Sequence, residues 1–335
     1  MMRVTKPSVF VYDSLDVGET VLSQWDFDFT FGVPERASGV ARRKLSTDTL
    51  VEAARGHDAL LGASGALISR DVLLQLPSVR YIAKLGIGYE VIDVDAATEL
   101  GVVVVNTPIH SEVELVAEHA IALMLACVKQ FHWYNTQYVR GGGWRHADHF
   151  VGTLFGSTVG VVGYGNIGRA VAHRLRSFGV NVLVYDLRSL DGEPGVTPVT
   201  LDELLAQSDV VTLHTPATGS EPLLNGDRLR TMKRGSILIN TARGRLVDTR
   251  TLSELLDEGH LAGFGTDVFY PEPPPADDVV LGASSVYLTP HVAAWNAPVR
   301  VEMVTMALSS LSRLVEGERP VNVINPEVFD KGVRV

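Results

Sequence analysis

Short runs of β-branched and aliphatic residues recur along the whole chain. The first half carries Val9-Phe10-Val11-Tyr12, Ala59-Leu60-Leu61, Tyr81 to Leu85 and Val102 to Asn106. The second half carries Thr158 to Val162, Asn181 to Tyr185, Asp209 to His214 and Ser236 to Asn240. None alternates apolar with polar, so each reads as a strand covered on both faces, the pattern of a parallel sheet. Helix-period segments lie between them, such as Ala170 to Ser177 and Thr251 to Glu258, the latter followed by Gly259 as a stop. Alternating strands and helices predict a doubly wound α/β architecture.

Two longer helical patterns divide this series. One runs from Val113 to Tyr138 and ends at Gly141-Gly142-Gly143; the other runs from Val299 to Glu316 and leads to Gly317 and Pro320. A chain that leaves one domain, builds a second and returns needs two such crossings. The predicted organisation is a discontinuous first domain, 1–112 plus 301–335, with a second domain, 113–300, inserted in it. The length of 335 residues suits two domains of roughly 100–200 residues each.

Composition narrows the class. Apolar residues make up 46 % and charged residues 20 %, which permits a large buried core and argues against disorder. The balance of 29 Lys and Arg against 39 Asp and Glu, a net charge of −10, disfavours a nucleic-acid-binding surface. Cys127 is the only cysteine, which excludes an intrachain disulfide and a Cys-rich zinc site. It lies in the apolar stretch from Ala120 to Val128 and reads as a buried helix thiol. Met1 to Ser8 lacks the apolar run of a signal peptide. The longest mostly apolar segment, 116–128, is interrupted by Glu118 and His119 and is too short to cross a bilayer. A cytoplasmic protein with no membrane partner is expected.

The first chemical motif is Gly163-Tyr164-Gly165-Asn166-Ile167-Gly168, which follows the strand Thr158 to Val162 and opens a helix. A lone G-x-G-x-x-G is weak, but this strand–turn–helix context is the one a dinucleotide needs. Gly163 permits the turn, Gly165 lets backbone approach a pyrophosphate, and Gly168 lets helix and strand pack closely. The helix N-terminus offers N–H groups to the anion. Asp186 ends the next strand, where an acid holds the adenosine ribose hydroxyls and repels a 2′-phosphate. NAD is the expected cofactor, a preference that Arg188 nearby softens.

Further motifs follow in order: Leu213-His214-Thr215-Pro216-Ala217-Thr218, then Met232 to Asp248 with Ala242-Arg243-Gly244 at its centre, then Gly265 to Pro273, then Thr289-Pro290-His291. With the glycine motif in mid-chain, the chain from about 50 to 320 resembles the D-isomer-specific 2-hydroxyacid dehydrogenase family. The resemblance implies a Rossmann NAD-binding domain inserted in a flavodoxin-like substrate domain. It also implies that Arg243, Glu272 and His291 are catalytic. The chemistry agrees: reducing a 2-oxo acid takes a hydride at the carbonyl carbon and a proton at its oxygen. His291 would hold that proton, since histidine titrates near neutrality. A carboxylate beside it favours the imidazolium, the part given to Glu272. Arg243 would grip the substrate carboxylate with its planar fork.

The same resemblance assigns a second tier. Asp267 is placed at the nicotinamide, Thr241 on its side, and His214 and Pro216 near the adenosine, while Tyr164, Asn166 and Ile167 cradle the pyrophosphate. In the first domain, Lys84-Leu85-Gly86-Ile87 resembles the substrate loop, whose N–H groups would receive the carboxylate. Relatives often carry Asp-Asn a few residues on, where this chain has Glu90-Val91. Glu118 and His119 are read as structural. The region Gln137 to Phe155, with Trp144, His146, Asp148 and His149, is assigned to a homodimer interface rather than a metal site, because hydride transfer needs no metal. Two other functions stay open: NAD-dependent oxidation of another small anion such as phosphite, and a nucleotide-sensing regulatory relative of the same fold.

Overall fold

A computed structural model describes residues 6–33, 45–63, 66–144, 150–190 and 192–334. The chain divides into two compact units, Met1–Glu112 with Trp295–Val335, and Val113–Ala294. The first unit contains β1 (Ser8–Val11), β2 (Asp28–Phe31), β3 (Ala59–Gly62), β4 (Tyr81–Lys84) and β5 (Val103–Asn106). They form one sheet in the order β2-β1-β3-β4-β5, with every pairing parallel. This is the flavodoxin-like order.

The second unit contains β6 (Thr158–Val162), β7 (Asn181–Tyr185), β8 (Thr197–Pro198), β9 (Val210–Leu213), β10 (Ser236–Asn240), β11 (Leu261–Thr266) and β12 (Val286–Leu288). Their order is β12-β11-β10-β9-β6-β7-β8, again all parallel. Successive residues of a strand face opposite sides of the sheet. Val161, Val210, Ile237 and Ile239 enter one apolar cluster, with Met124, Val171 and Leu175. Val162, Val211 and Leu238 enter another, with Leu204, Leu252 and Phe264. Both faces are therefore core, which is why these strands show no alternation. Cys127 lies in the first of these clusters, and burial pushes its thiol pKa up to about 12.

The strands missing from the sequence reading include β2, β8 and β12, three of the four sheet edges; the fourth, β5, is buried along its length and reads as an apolar run. β2 is largely exposed, and β12 is only half-buried. Such exposed edges lack the two-sided apolar cover that marks the inner strands.

One helix and one unit boundary differ from expectation. The helix expected from Val113 to Tyr138 runs instead from His110 to Lys129. Gln130 takes φ +53°, which no helix continues, and a wide π-type turn, Trp133–Val139, follows with Trp133 stacked on Tyr138 at 4.9 Å. The return to the first unit falls at Trp295 rather than at residue 301. Asn296 caps the helix Ala297–Val315 by accepting from the Val299 N–H. Buried Arg300, one turn in, donates to the carbonyls of Ser14 and Leu15 and so ties the helix start to the first unit. No helix among the described residues is long and apolar enough to cross a membrane.

Candidate active site

The candidate catalytic residues of the second unit, and its glycine turn, Asp186, His214 and Asp267, lie at or beyond the carboxyl ends of strands. The glycine turn follows β6, Asp186 follows β7, His214 follows β9, Arg243 follows β10, Asp267 and Glu272 follow β11, and His291 follows β12. Parallel pairing brings these ends to one edge of the sheet, where open α/β sheets bind ligands.

The glycine turn shows why glycine is needed. Gly163 has φ +91°, and a Cβ there would lie 2.5 Å from the His214 carbonyl oxygen. A Cβ on Gly168 would lie 2.0 Å from the Gly163 carbonyl oxygen. At Gly165 an added Cβ meets nothing within 4 Å, so space is open there. The helix Asn166–Leu175 starts directly afterwards, and no side chain among the described residues caps its first N–H groups. Asp186 accepts from the Tyr164 N–H at 2.7 Å, from the Arg188 N–H at 3.0 Å and from Arg188 Nε at 3.1 Å. Chiefly through the Arg188 side chain, its pKa is drawn down to about 2. Desolvation pushes the His214 pKa down to about 3, so its ring is neutral, and its Nε2 lies 2.9 Å from Thr212 Oγ1. Thr241 Oγ1 is buried with no hydrogen-bond partner among the described residues, while Pro216 is exposed. An uncapped helix start, open space at Gly165, a carboxylate at the next strand end and an orphaned hydroxyl all suit a dinucleotide.

Histidine, glutamate and arginine come from three neighbouring strand ends. His291 Nδ1 lies 2.8 Å from Glu272 Oε2, and Glu272 Oε1 accepts from the Phe269 N–H at 2.9 Å. The Glu272 carboxylate is thus held at both oxygens. His291 itself is half-exposed and adopts φ +54°. Arg243 begins the short helical turn Gly244–Leu246 and is half-buried. Asn240 braces its turn, accepting from the Ala242 N–H at 3.0 Å and donating to the Arg243 carbonyl at 2.9 Å. A Cβ on Gly244 would lie 2.2 Å from the Phe269 carbonyl carbon, so this glycine lets the arginine turn approach the Glu272 loop.

Asp267, expected at the nicotinamide, is buried and takes part in an internal network. Its carboxylate is 1 % exposed and accepts from Thr289 Oγ1 at 2.6 Å, the Val292 N–H at 2.9 Å and the Ala293 N–H at 2.8 Å. It anchors the loop that carries His291. His119 Nε2 lies 2.9 Å from Thr289 Oγ1 and extends this network. The sequence marked Asp267 and His119 as separate features; the signal that joins them is the threonine of Thr289-Pro290-His291.

In the first unit, the expected anion nest is a closed loop. The N–H groups of Leu85, Gly86 and Ile87 donate to Gly62 O at 2.9 Å, Thr107 Oγ1 at 2.7 Å and Glu112 Oε1 at 3.3 Å. Lys84 is buried, and its Nζ donates to the Leu85 carbonyl at 2.8 Å. Thr107 and Glu112 supply side-chain acceptors that a glycine pattern alone does not disclose. His146, Asp148 and His149 lie outside the described residues, as do Met1 to Thr5.

A seven-stranded parallel sheet with a glycine turn, a strand-end acid and a His–Glu pair along one edge defines a dinucleotide-dependent oxidoreductase. Residues 121–293 match the model of the D-isomer specific 2-hydroxyacid dehydrogenase, NAD binding domain. The chain is 36 % identical over 331 residues to the glyoxylate reductase of Korarchaeum cryptofilum, covering 96 % of this chain and 97 % of that one. Among solved structures it resembles a glyoxylate reductase from Paecilomyes thermophila, with TM-score 0.81, 29 % identity and coverage of 96 % and 99 %. It also resembles the NAD-dependent formate dehydrogenase from Staphylococcus aureus in complex with NAD, with TM-score 0.81, 26 % identity and coverage of 95 % and 98 %. The chain belongs to the D-isomer specific 2-hydroxyacid dehydrogenase family. It is an NAD-dependent oxidoreductase of 2-hydroxy acids.

Proposed function

We infer that the enzyme reduces a small 2-oxo acid, with glyoxylate the first candidate, to the 2-hydroxy acid, of D configuration where the product is chiral, with His291 as the proton donor. The observation that carries this reading is the 2.8 Å contact between His291 Nδ1 and Glu272 Oε2. A carboxylate beside Nδ1 fixes the proton there and turns Nε2 towards substrate. Glu272 is itself fixed by the Phe269 N–H. Arg243 pairs with the substrate carboxylate and orients the carbonyl. The helix start at Asn166 to Gly168 would hold the pyrophosphate, Asp186 the adenosine ribose, and Thr241 Oγ1 a polar group on the nicotinamide side. Held there, the cofactor supplies or takes up the hydride. His291 Nε2 then gives its proton to the carbonyl oxygen, and in the reverse direction removes it from the hydroxyl.

The substrate name borne by the relatives supports glyoxylate; the residues support the wider class. The active form is a homodimer built on the segment after Lys129, where Phe131, Trp144, Phe150 and Phe155 are exposed. The test is a panel following NADH absorbance with glyoxylate, hydroxypyruvate, pyruvate and branched 2-oxo acids, with phosphite and NAD⁺ as the contrasting pair. Turnover of at least one 2-oxo acid, with none on phosphite, is expected. Phosphite oxidation with no 2-oxo acid turnover would overturn the reading.

A further inference from the structure

Strand β11 carries Gly263 and Gly265 on one face, and Asp267 continues that face just beyond its end. The helix His110–Lys129 packs against it. A Cβ on Gly263 would lie 3.5 Å from Cys127 Cβ, and one on Gly265 would lie 3.1 Å from Leu123 Cβ. Two residues forward on the strand therefore match one turn back on the helix, from Cys127 to Leu123. The next turn back is His119, and the next strand position is Asp267. Their side chains come within 3.6 Å, His119 Nε2 to Asp267 Oδ1. The packing of helix on strand thus delivers a histidine, read from the sequence as structural, to the strand end that precedes the catalytic loop.

The hydrogen bonds there have a fixed direction. Thr289 Oγ1 donates to Asp267 Oδ1 at 2.6 Å. A hydroxyl has one proton, so in the 2.9 Å contact between Thr289 Oγ1 and His119 Nε2 the ring is the donor. His119 Nε2–H, the Thr289 hydroxyl and the Asp267 carboxylate form one chain, in which each bond polarises the next. Asp267 then holds the loop beyond Thr289 through the Val292 and Ala293 N–H groups, and its carbonyl accepts from the His291 N–H at 2.8 Å. His291, at φ +54°, keeps such a conformation only where surrounding contacts over-determine it. The chain from His119 is one of those contacts, and it is the one that comes from a different helix.

We propose that His119 is a positioning residue for the reaction: its Nε2–H, acting through the Thr289 hydroxyl, fixes the Asp267 carboxylate and with it the loop that holds His291 for proton transfer. The proposal rests on the reading of His291 as proton donor and adds what keeps it in place. His119 itself touches neither substrate nor cofactor in this role. Its whole effect passes through Thr289, which makes the two residues non-additive.

The experiment is a double-mutant cycle on kcat, KM and NADH affinity. His119→Phe and His119→Leu remove the donor at two side-chain sizes, so that one poorly packed variant does not decide the result. His119→Gln restores an N–H at the reach of Nε2, and Thr289→Val removes the link. His119→Phe and His119→Leu should lower kcat by about tenfold, short of the roughly hundredfold cost of a 1 Å displacement because Asp267 keeps its own donors. KM and NADH affinity should stay close to wild type. His119→Gln should recover most of the loss, and His119→Phe added to Thr289→Val should cost nothing further. The proposal is overturned by wild-type kcat in both apolar variants, by His119→Gln as poor as they are, by losses that multiply in the double variant, or by NADH affinity falling as far as kcat. Proton–nitrogen NMR of histidine-labelled enzyme in mildly alkaline solution tests the chain without turnover. The His119 ring should carry its proton on Nε2, and a ring protonated on Nδ1 alone overturns the proposal. Wild type inactive on every 2-oxo acid overturns the functional reading instead, and the NMR result then decides the donor chain by itself.

Discussion

Asp267→Asn is the substitution for which the structure predicts most. It keeps the side chain's shape and replaces one acceptor oxygen with a donor NH₂ in a site that holds only donors: Thr289 Oγ1, Val292 N–H and Ala293 N–H. In the better orientation the amide oxygen keeps the two bonds made by Oδ1. Each falls from charge-assisted to neutral, a loss of about 1 kcal/mol apiece. The Ala293 N–H then faces NH₂ and loses its acceptor, costing about 1–3 kcal/mol more. The gross loss is roughly 3–5 kcal/mol, and loop relaxation reduces it to about 2–4 kcal/mol. His291, at φ +54°, sits in a region that costs about 1–2 kcal/mol for a non-glycine residue. Without its anchor the loop has reason to relax out of that conformation. A displacement of about 1 Å at the proton donor costs about a hundredfold in kcat. Thermal melting and steady-state NADH oxidation read both effects: Tm lower by about 5–10 °C, and kcat lower by about a hundredfold. An unchanged Tm with NADH affinity weakened would refute the anchoring argument and return Asp267 to the nicotinamide.

Other expectations follow from the same edge of the sheet. Asp186 has a folded pKa of about 2 against an ordinary 3.8, so it stabilises the fold fully above about pH 4 and loses that contribution as pH falls towards 2. The Tm difference between wild type and Asp186→Asn should therefore be widest near neutrality and close on acidification; a constant difference would contradict the linkage. Gly168→Ala places a Cβ 2.0 Å from the Gly163 carbonyl oxygen, and backbone must move. A loss of about 1–3 kcal/mol is expected on denaturant unfolding, together with weaker NADH binding. Arg243→Ala should raise KM for the 2-oxo acid and lower kcat, with little change in Tm; kinetics unchanged in both would remove its role.

The inner strands were legible because burial on both faces leaves an unbroken apolar run, as in Val159 to Val162 and Ile237 to Ile239. The exposed edges β2 and β12 were not, because they lack that two-sided burial. The glycine turn could be read because a φ of +91° at Gly163 and close approach at Gly168 admit little else. The partners that occupy a site were harder. Nothing in Lys84 to Ile87 announces that Thr107 and Glu112 take its N–H groups. Nothing near Asp267 announces that its acceptors serve a loop more than twenty residues on. Such pairings are decided by the fold's geometry, and the linear pattern carries only the donors and acceptors. Gln130 shows the reverse case: a helix-compatible residue ends a helix because the aromatic turn after it packs on itself.

The central claim is that His291 delivers the proton in a nicotinamide-dependent reduction of a 2-oxo acid. The direct measurement is kcat for NADH oxidation with the best acid of the panel, in wild type and His291→Ala, with NADH affinity measured alongside. The account predicts a kcat lower by about 10²–10⁴-fold with NADH binding retained. Near-normal turnover by His291→Ala would contradict it.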